Sequence, residues 1–217
     1  MSFNCLLQWN IRGLKSNAES LKEIWHEYDP GVTCLQETML SSFNYNVGLN
    51  YKFYGSEPTF AIDNRAKGGA AIVVKSSISH NPVPLNTDLQ AVAVKVVLGK
   101  QYTICSLYLD PGSDPSYEDL CGLIRQLDPP FVVVGDLNAH SMLWDSTRTN
   151  SKGLLVERLL EDHDISLLND DRPTYFSVQN NSTSVIDLGL CSSNIFTDFT
   201  WETLPYIRTF FTTVYLA

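Results

Sequence analysis

The sequence predicts an α/β fold in which two β-sheets pack face to face with helices outside. Three observations predict it. Apolar, β-branched runs outnumber amphipathic helical patterns, about nine or ten strands against three helices. The N-terminal segment reads strand, helix, strand, a β-α-β unit whose right-handed crossover puts both strand ends on one side. No repeat, low-complexity stretch or linker divides the 217 residues, so one domain accounts for them.

The elements follow in order. Residues 3–10 form a strand ending in Gln8-Trp9-Asn10, followed by the loop Ile11-Arg12-Gly13-Leu14. Ser16-Asn17-Ala18-Glu19 has the capping-box pattern, and Leu21, Ile24, Trp25 and Tyr28 give the helix after it one apolar face. Asp29-Pro30-Gly31 stops that helix and Val32 to Glu37 is the next strand. Residues 38–66 read as irregular. Gly68-Gly69 opens a strand from Ala70 to Val74, and Gly99-Lys100 joins the β-rich runs 89–98 and 102–109 as a hairpin. A helix over about 116–127 buries Leu120, Leu123, Ile124 and Leu127. Phe131-Val132-Val133-Val134 then runs into Gly135-Asp136-Leu137-Asn138-Ala139-His140, a buried strand opening into a polar loop. Ser151 caps a helix to about His163, with Leu155, Val156, Leu159 and Leu160 inward. Short strands at 165–169, 172–177 and 184–190 complete the pattern.

Composition narrows the class. Hydrophobic residues make up 44% and charged residues 18%, which is globular rather than disordered. No apolar run approaches the roughly 18 residues of a membrane span, and the N-terminus lacks signal-peptide features. The five cysteines, Cys5, Cys34, Cys105, Cys121 and Cys191, are scattered without a Cys-x-x-Cys pair. They read as buried reduced thiols in an intracellular chain without a zinc site. A net charge of −9 argues against a dedicated nucleic-acid-binding module, which is basic. It is compatible with a metal-dependent phosphoesterase, whose cation supplies the local positive charge.

Polar residues stand at the ends of these core strands: Asn10, Glu37, Tyr108, Asp136 with Asn138, and Asp187. Each has a bland reading alone: a turn cap, a solvated strand end, a satisfied core tyrosine, an Asx-turn. Asp187 is hardest to dismiss, because a carboxylate inside Val185-Ile186-Leu188 is costly unless paired. Together they have a chemical logic. Glu37 backed by Asn10 suits an oxygen-ligated cation such as Mg²⁺, which keeps waters and binds substrate phosphate. Asp136 and Asn138 can orient a water and accept its proton, and the Tyr108 hydroxyl can donate to a phosphoryl oxygen. Metal-assisted phosphodiester hydrolysis is the reaction class.

The ordered set Gln8 to Leu14, Leu35 to Thr38, Lys67 to Ala70, Tyr108 with Pro111, Gly135 to His140 and Val185 to Leu188 resembles the endonuclease/exonuclease/phosphatase family. Asn138-Ala139-His140 with Trp144, Asn150 to Gly153, and Leu168-Asn169 to Pro173-Thr174 resemble its branch of apurinic-like endonuclease domains from non-LTR retrotransposons. The resemblance implies a four-layered α/β sandwich, two mixed sheets flanked by helices, that nicks DNA to leave a 3′-hydroxyl for reverse transcription. It implies Mg²⁺, or Mn²⁺, at Glu37 and Asn10. It implies catalytic roles for Asp136, Asn138, Tyr108 and Asp187, and substrate contacts for Thr174, His140 and Arg12. The implied partners are DNA and a reverse-transcriptase portion outside this chain, with no membrane. A monomer is expected, nuclear where it acts on chromosomal DNA.

The resemblance breaks at the end. The family's last motif is Ser-Asp-His, whose histidine pairs with the aspartate matched by Asp187. The histidines here are His26, His80, His140 and His163, so none follows Asp187. Residues 1–201 are therefore read as the domain and 202–217 as a divergent tail. The last strand is expected to be lacking, as in a truncated or frame-shifted copy, and activity impaired. The alternatives are a catalytically dead remnant that binds metal or nucleic acid, and a phosphatase of the same fold.

Overall fold

A computed structural model describes residues 5–144, 146–170, 172–177, 181–206 and 209–216. Residues 3 and 4 of the expected first strand lie outside these. In chain order the elements are β1 (Cys5–Asn10), α1 (Ala18–Tyr28), β2 (Val32–Gln36), β3 (Tyr51–Gly55), β4 (Thr59–Phe60), β5 (Ala66–Lys67), β6 (Ala70–Lys75), β7 (His80–Val83), β8 (Gln90–Leu98) and β9 (Lys100–Tyr108). There follow α2 (Tyr117–Ile124), β10 (Phe131–Asp136), α3 (Ser151–Asp162), β11 (Ile165–Leu167), β12 (Tyr175–Ser177), β13 (Ser182–Ser184), β14 (Asp187–Ser192), β15 (Phe199–Tyr206) and β16 (Thr209–Leu216).

Two six-stranded sheets carry the fold, in the orders β15-β16-β1-β2-β6-β3 and β11-β14-β10-β9-β8-β7. β1 runs parallel to β2 and β9 to β10; the other pairings within these sheets are antiparallel. Leu6, Cys34, Ile72, Val94, Ile104, Val132 and Val134 fill the space between the sheets. On the outer face of the first sheet, Leu7, Trp9, Leu35 and Val73 pack on Leu21, Ile24 and Trp25 of α1. On the outer face of the second, Cys105, Leu107 and Val133 pack on Leu120, Leu123, Val156 and Leu159 of α2 and α3. The central strands are thus buried on both faces, which is why they read as continuous apolar runs. The four layers match the expected sandwich.

The structure differs from expectation in local ways. Residues 38–66 are not wholly irregular, because β3 adds to the edge of the first sheet beside β6. Its side chains are half-buried except for exposed Lys52, which blurs the alternation that marks a strand. Asn17 rather than Ser16 stands at the N-cap of α1, and it makes no side-chain cap bond. Its amide instead donates to the carbonyl of Ile11 at 2.8 Å, tying the helix to the loop after β1. The α3 cap is Asn150, which accepts from the Gly153 N–H at 2.7 Å, while Ser151 is already helical. Ser116 and Asp119 do form a capping box at α2.

The largest correction concerns the C-terminus. The last strand is present: β16 pairs antiparallel with β1 from Cys5↔Tyr215 to Gln8↔Thr212. β15 pairs along its length with β16, so the boundary expected at 201 falls inside β15. The physical reason is that β1 would otherwise present an unpaired edge, and an aromatic, Thr-rich tail suits a strand. Positions 207, 208 and 217 of that tail lie outside the described residues.

Candidate active site

The candidate residues meet where the C-terminal ends of β1, β2 and β10 open at one end of the sandwich. Asn10 ends β1 and Asp136 ends β10, on opposite sheets. The Asn10 amide Nδ2 donates to Glu37 Oε1 at 2.8 Å and to Asp136 Oδ2 at 2.6 Å. One side chain therefore bridges both carboxylates. Its Oδ1 accepts from the Arg12 N–H at 3.3 Å. Glu37 leaves β2 with φ 50° and Arg12 leaves the β1 end with φ 48°, sharp turns that break both strands at the site. The Gly68-Gly69 turn holds the Glu37 loop: the N–H groups of Thr38 and Met39 donate to Gly69 and Gly68 carbonyls at 3.2 and 2.8 Å. A Cβ at Gly68 would stand 2.9 Å from the Tyr108 ring and 2.4 Å from Gln90 Oε1, so only glycine allows this approach.

Asp136 pairs directly across the strands with Asp187. Two carboxylates opposed in a dry interior resist ionising together. Burial, then repulsion from Asp187, pushes the Asp136 carboxyl well above the usual range, against hydrogen bonds from Asn10 and the Asn138 backbone. Burial raises Asp187 to about 6, opposed by Gln8 and Thr174. Asn138 sits in the left-handed region at φ 47°, its N–H on Asp136 Oδ1 at 3.0 Å and its Nδ2 on the Leu109 carbonyl at 3.0 Å. That is the Asx-turn anticipated for Asp136, and it fixes the Asn138 amide plane. The Tyr108 phenol is pushed up by burial and then by Glu37, Asp136 and Asp110, so it stays a proton donor at neutral pH. Thr174 Oγ1 accepts from the N–H groups of Ile186 and Asp187, both at 3.0 Å, and so steers the chain from β13 into β14. This interruption is why the expected strand 184–190 is two strands.

Asn10, Arg12, Glu37, Asp136, Asn138 and His140 line a cleft of about 830 Å³, with Arg148, Tyr175 and residues of β13 on its far side. Tyr108, Thr174 and Asp187 are buried behind it. The Arg12 guanidinium lies 5.2 Å from the centre of the Tyr175 ring. His140 is held by backbone bonds to Asn150, and burial followed by Arg148 lowers its imidazole below the ordinary range. All nine residues singled out in the sequence are thus brought to one end of the molecule.

A family profile described as "Endonuclease-reverse transcriptase" matches residues 102–207. The RNA-directed DNA polymerase from mobile element jockey of Drosophila melanogaster is 24% identical over 173 residues, 78% of this chain and 18% of that protein. The endonuclease domain of TRAS1, a telomere-specific non-LTR retrotransposon, superposes with a TM-score of 0.80 at 20% identity, covering 98% of this chain and 97% of that one. The chain is thus similar in sequence to non-LTR retrotransposon proteins and shares the fold of the TRAS1 endonuclease domain. An AP endonuclease from Archaeoglobus fulgidus has the same fold, with a TM-score of 0.74 at 11% identity over 98% of this chain and 99% of that one. The chain spans about a fifth of the curated relatives it matches, between 18% and 21% of their length.

Several residues at this site escaped the sequence reading. Gln8 Nε2 donates to Asp187 Oδ1 at 2.7 Å and to Gln36 Oε1 at 2.8 Å. Gln36 Nε2 donates to Ser106 Oγ at 2.9 Å. Asp187, expected to lack a partner, therefore has one. The signal was available: Gln8 and Gln36 interrupt apolar runs as Asp187 does. Arg148 and Tyr175 carried no such signal. Among the described residues no helix is long and apolar enough to cross a membrane.

Proposed function

We propose that this chain is the endonuclease-type domain of a retroelement polyprotein, a divalent-metal-dependent phosphodiesterase that nicks DNA. The observation that carries the reading is the Asn10 amide bridging Glu37 and Asp136 across the two sheets. The donor chemistry fits a Mg²⁺ or Mn²⁺ ion. Glu37 and Asn10 would hold it from a cleft wide enough for water and phosphate. When bound, such an ion neutralises charge on the phosphodiester and its leaving oxygen.

The remaining chemistry falls to the side chains. Asp136, with its raised proton affinity, takes the proton of the attacking water, which the Asn138 amide orients. Tyr108 donates its hydroxyl proton as a hydrogen bond to a phosphoryl oxygen. Arg12, His140 and Thr174 contact the substrate or shape its site. The product carries a 3′-hydroxyl, the end a reverse-transcriptase portion of the parent polyprotein would extend. Plasmid nicking with Mg²⁺ tests this. Nicking is expected to vanish in EDTA and in Glu37→Ala, and a parent no faster than Glu37→Ala refutes it.

One observation favours a second reading: among the described residues Asp187 is met by the Gln8 amide and Thr174, not by a histidine. A domain that binds metal or nucleic acid without turnover would show a Mg²⁺-dependent rise in Tm, lost in Glu37→Ala, and no nicking.

A further inference from the structure

Within the proposed phosphodiesterase site, we infer that Gln8 is the positioning residue for Asp187, and that Thr212 of β16 sets its orientation. Gln8 is buried between the sheets, 1% exposed. Its side chain makes three hydrogen bonds, and they fix which end of the amide faces which partner. Thr212 Oγ1 donates to Gln8 Oε1 at 2.6 Å. With the oxygen so committed, Nε2 faces Gln36 Oε1 and Asp187 Oδ1. Reversing the amide would set a carbonyl oxygen against a buried carboxylate and leave a second acceptor, Gln36 Oε1, without its donor.

The consequence for the site is specific. Asp187 faces Asp136 across the strands, and whichever carboxylate carries the charge needs a fixed donor. Gln8 gives Asp187 a donor in addition to Thr174, which leaves Asp136 nearest the Asn10 amide and the cleft. A neutral amide orients the carboxylate without bringing a titrating group. Gln8 itself does not line the cleft, so it acts through Asp187 rather than on substrate.

The inference rests on the phosphodiesterase reading, and the test separates the two. Gln8→Met keeps the volume and removes the donor and the acceptor; Thr212→Val removes only the hydroxyl that orients Gln8. Steady-state nicking is measured for both, with DNA and Mg²⁺ varied, alongside Tm. The expected result is a loss of about tenfold to a hundredfold in kcat for Gln8→Met, with KM for DNA unchanged, from the usual strength of a hydrogen bond to a charged group. Thr212→Val loses less in the same direction. In an Asp187→Asn background Gln8→Met costs little more, because the shared contact is already gone. A lowered Tm with unchanged kcat, or losses that multiply with Asp187→Asn, overturns the inference. A second readout needs no turnover. The Gln8 side-chain amide resonances in ¹⁵N spectra are expected to move in both Thr212→Val and Asp187→Asn. Amide resonances indifferent to Asp187→Asn overturn the inference even where nicking is normal. Failure of the parent to nick above Glu37→Ala refutes the enzymatic reading instead, and the amide resonances then decide Gln8's hold on Asp187.

Discussion

At the residue scale the site is governed by opposed carboxylates. The Asp187 carboxyl is raised by burial, to about 6, above its value in an unfolded chain. The folded state therefore binds its proton more tightly, and the stability this contributes is fully present below the unfolded pKa and lost as pH rises through about 6. Asp187→Asn has no charge to bury. In EDTA, its Tm relative to the parent is expected to climb as the pH is taken from acid to neutral; a constant difference across that range contradicts the assignment. Gln8, Gln36 and Asp187 are all polar residues inside apolar runs, the pattern that exposes a site in sequence. Asn150 shows the other case, entering the sequence reading only through the resemblance and not by its own chemistry. Its job is to join backbone segments, and no residue type announces that.

At the element scale, Asn150 ties the loop after β10 to the start of α3. Its Oδ1 accepts from the Gly153 and His140 N–H groups at 2.7 and 3.0 Å, and its Nδ2 donates to the Asn138 carbonyl at 2.9 Å. Helix and loop meet so closely that a Cβ at Gly153 would lie 1.8 Å from the His140 carbonyl oxygen. Asn150→Ala removes a helix cap and two loop bonds, and is expected to destabilise the chain by about 2–4 kcal/mol. Urea unfolding measures this, and a change under about half a kcal/mol would show the loop held by other means. The elements themselves were legible where one period dominated: β1, α1, β2, α2 and β10 all stand close to their expected bounds. β3 and β7 were not, because edge strands whose side chains are only half-buried or exposed lose the alternation that full burial enforces. The caps of α1 and α3 shifted by one residue for a related reason: Ser, Asn and Ser-like side chains at a helix start compete on geometry that sequence spacing does not contain.

At the scale of the whole molecule, the sandwich was legible from the ratio of strands to helices, and the cleft from the polar residues ending those strands. The role of the C-terminal segment was not. A motif comparison registers the absence of Ser-Asp-His, whereas the sheet requires only a β-prone segment able to pair with β1. A chain ending at Tyr206 is accordingly expected to lose more than a tail: β1 becomes an edge and Gln8 loses the Thr212 hydroxyl. Circular dichroism melts and size exclusion should then show a broadened transition and association, and an unchanged melt would mean β16 contributes nothing to the fold. The polar seam between the sheets has one more effect. Apolar faces alone let stacked sheets slip by a pleat at small loss, since one β-branched side chain replaces another. Gln36 on one sheet reaches Ser106 on the other, and Ser106 donates to the Leu35 carbonyl at 3.2 Å. A slip of two residues, roughly 7 Å, would part each of these donors from its acceptor in a dry interior. The seam works as an alignment pin, keeping Glu37 of one sheet and Asp136 of the other within reach of a single amide.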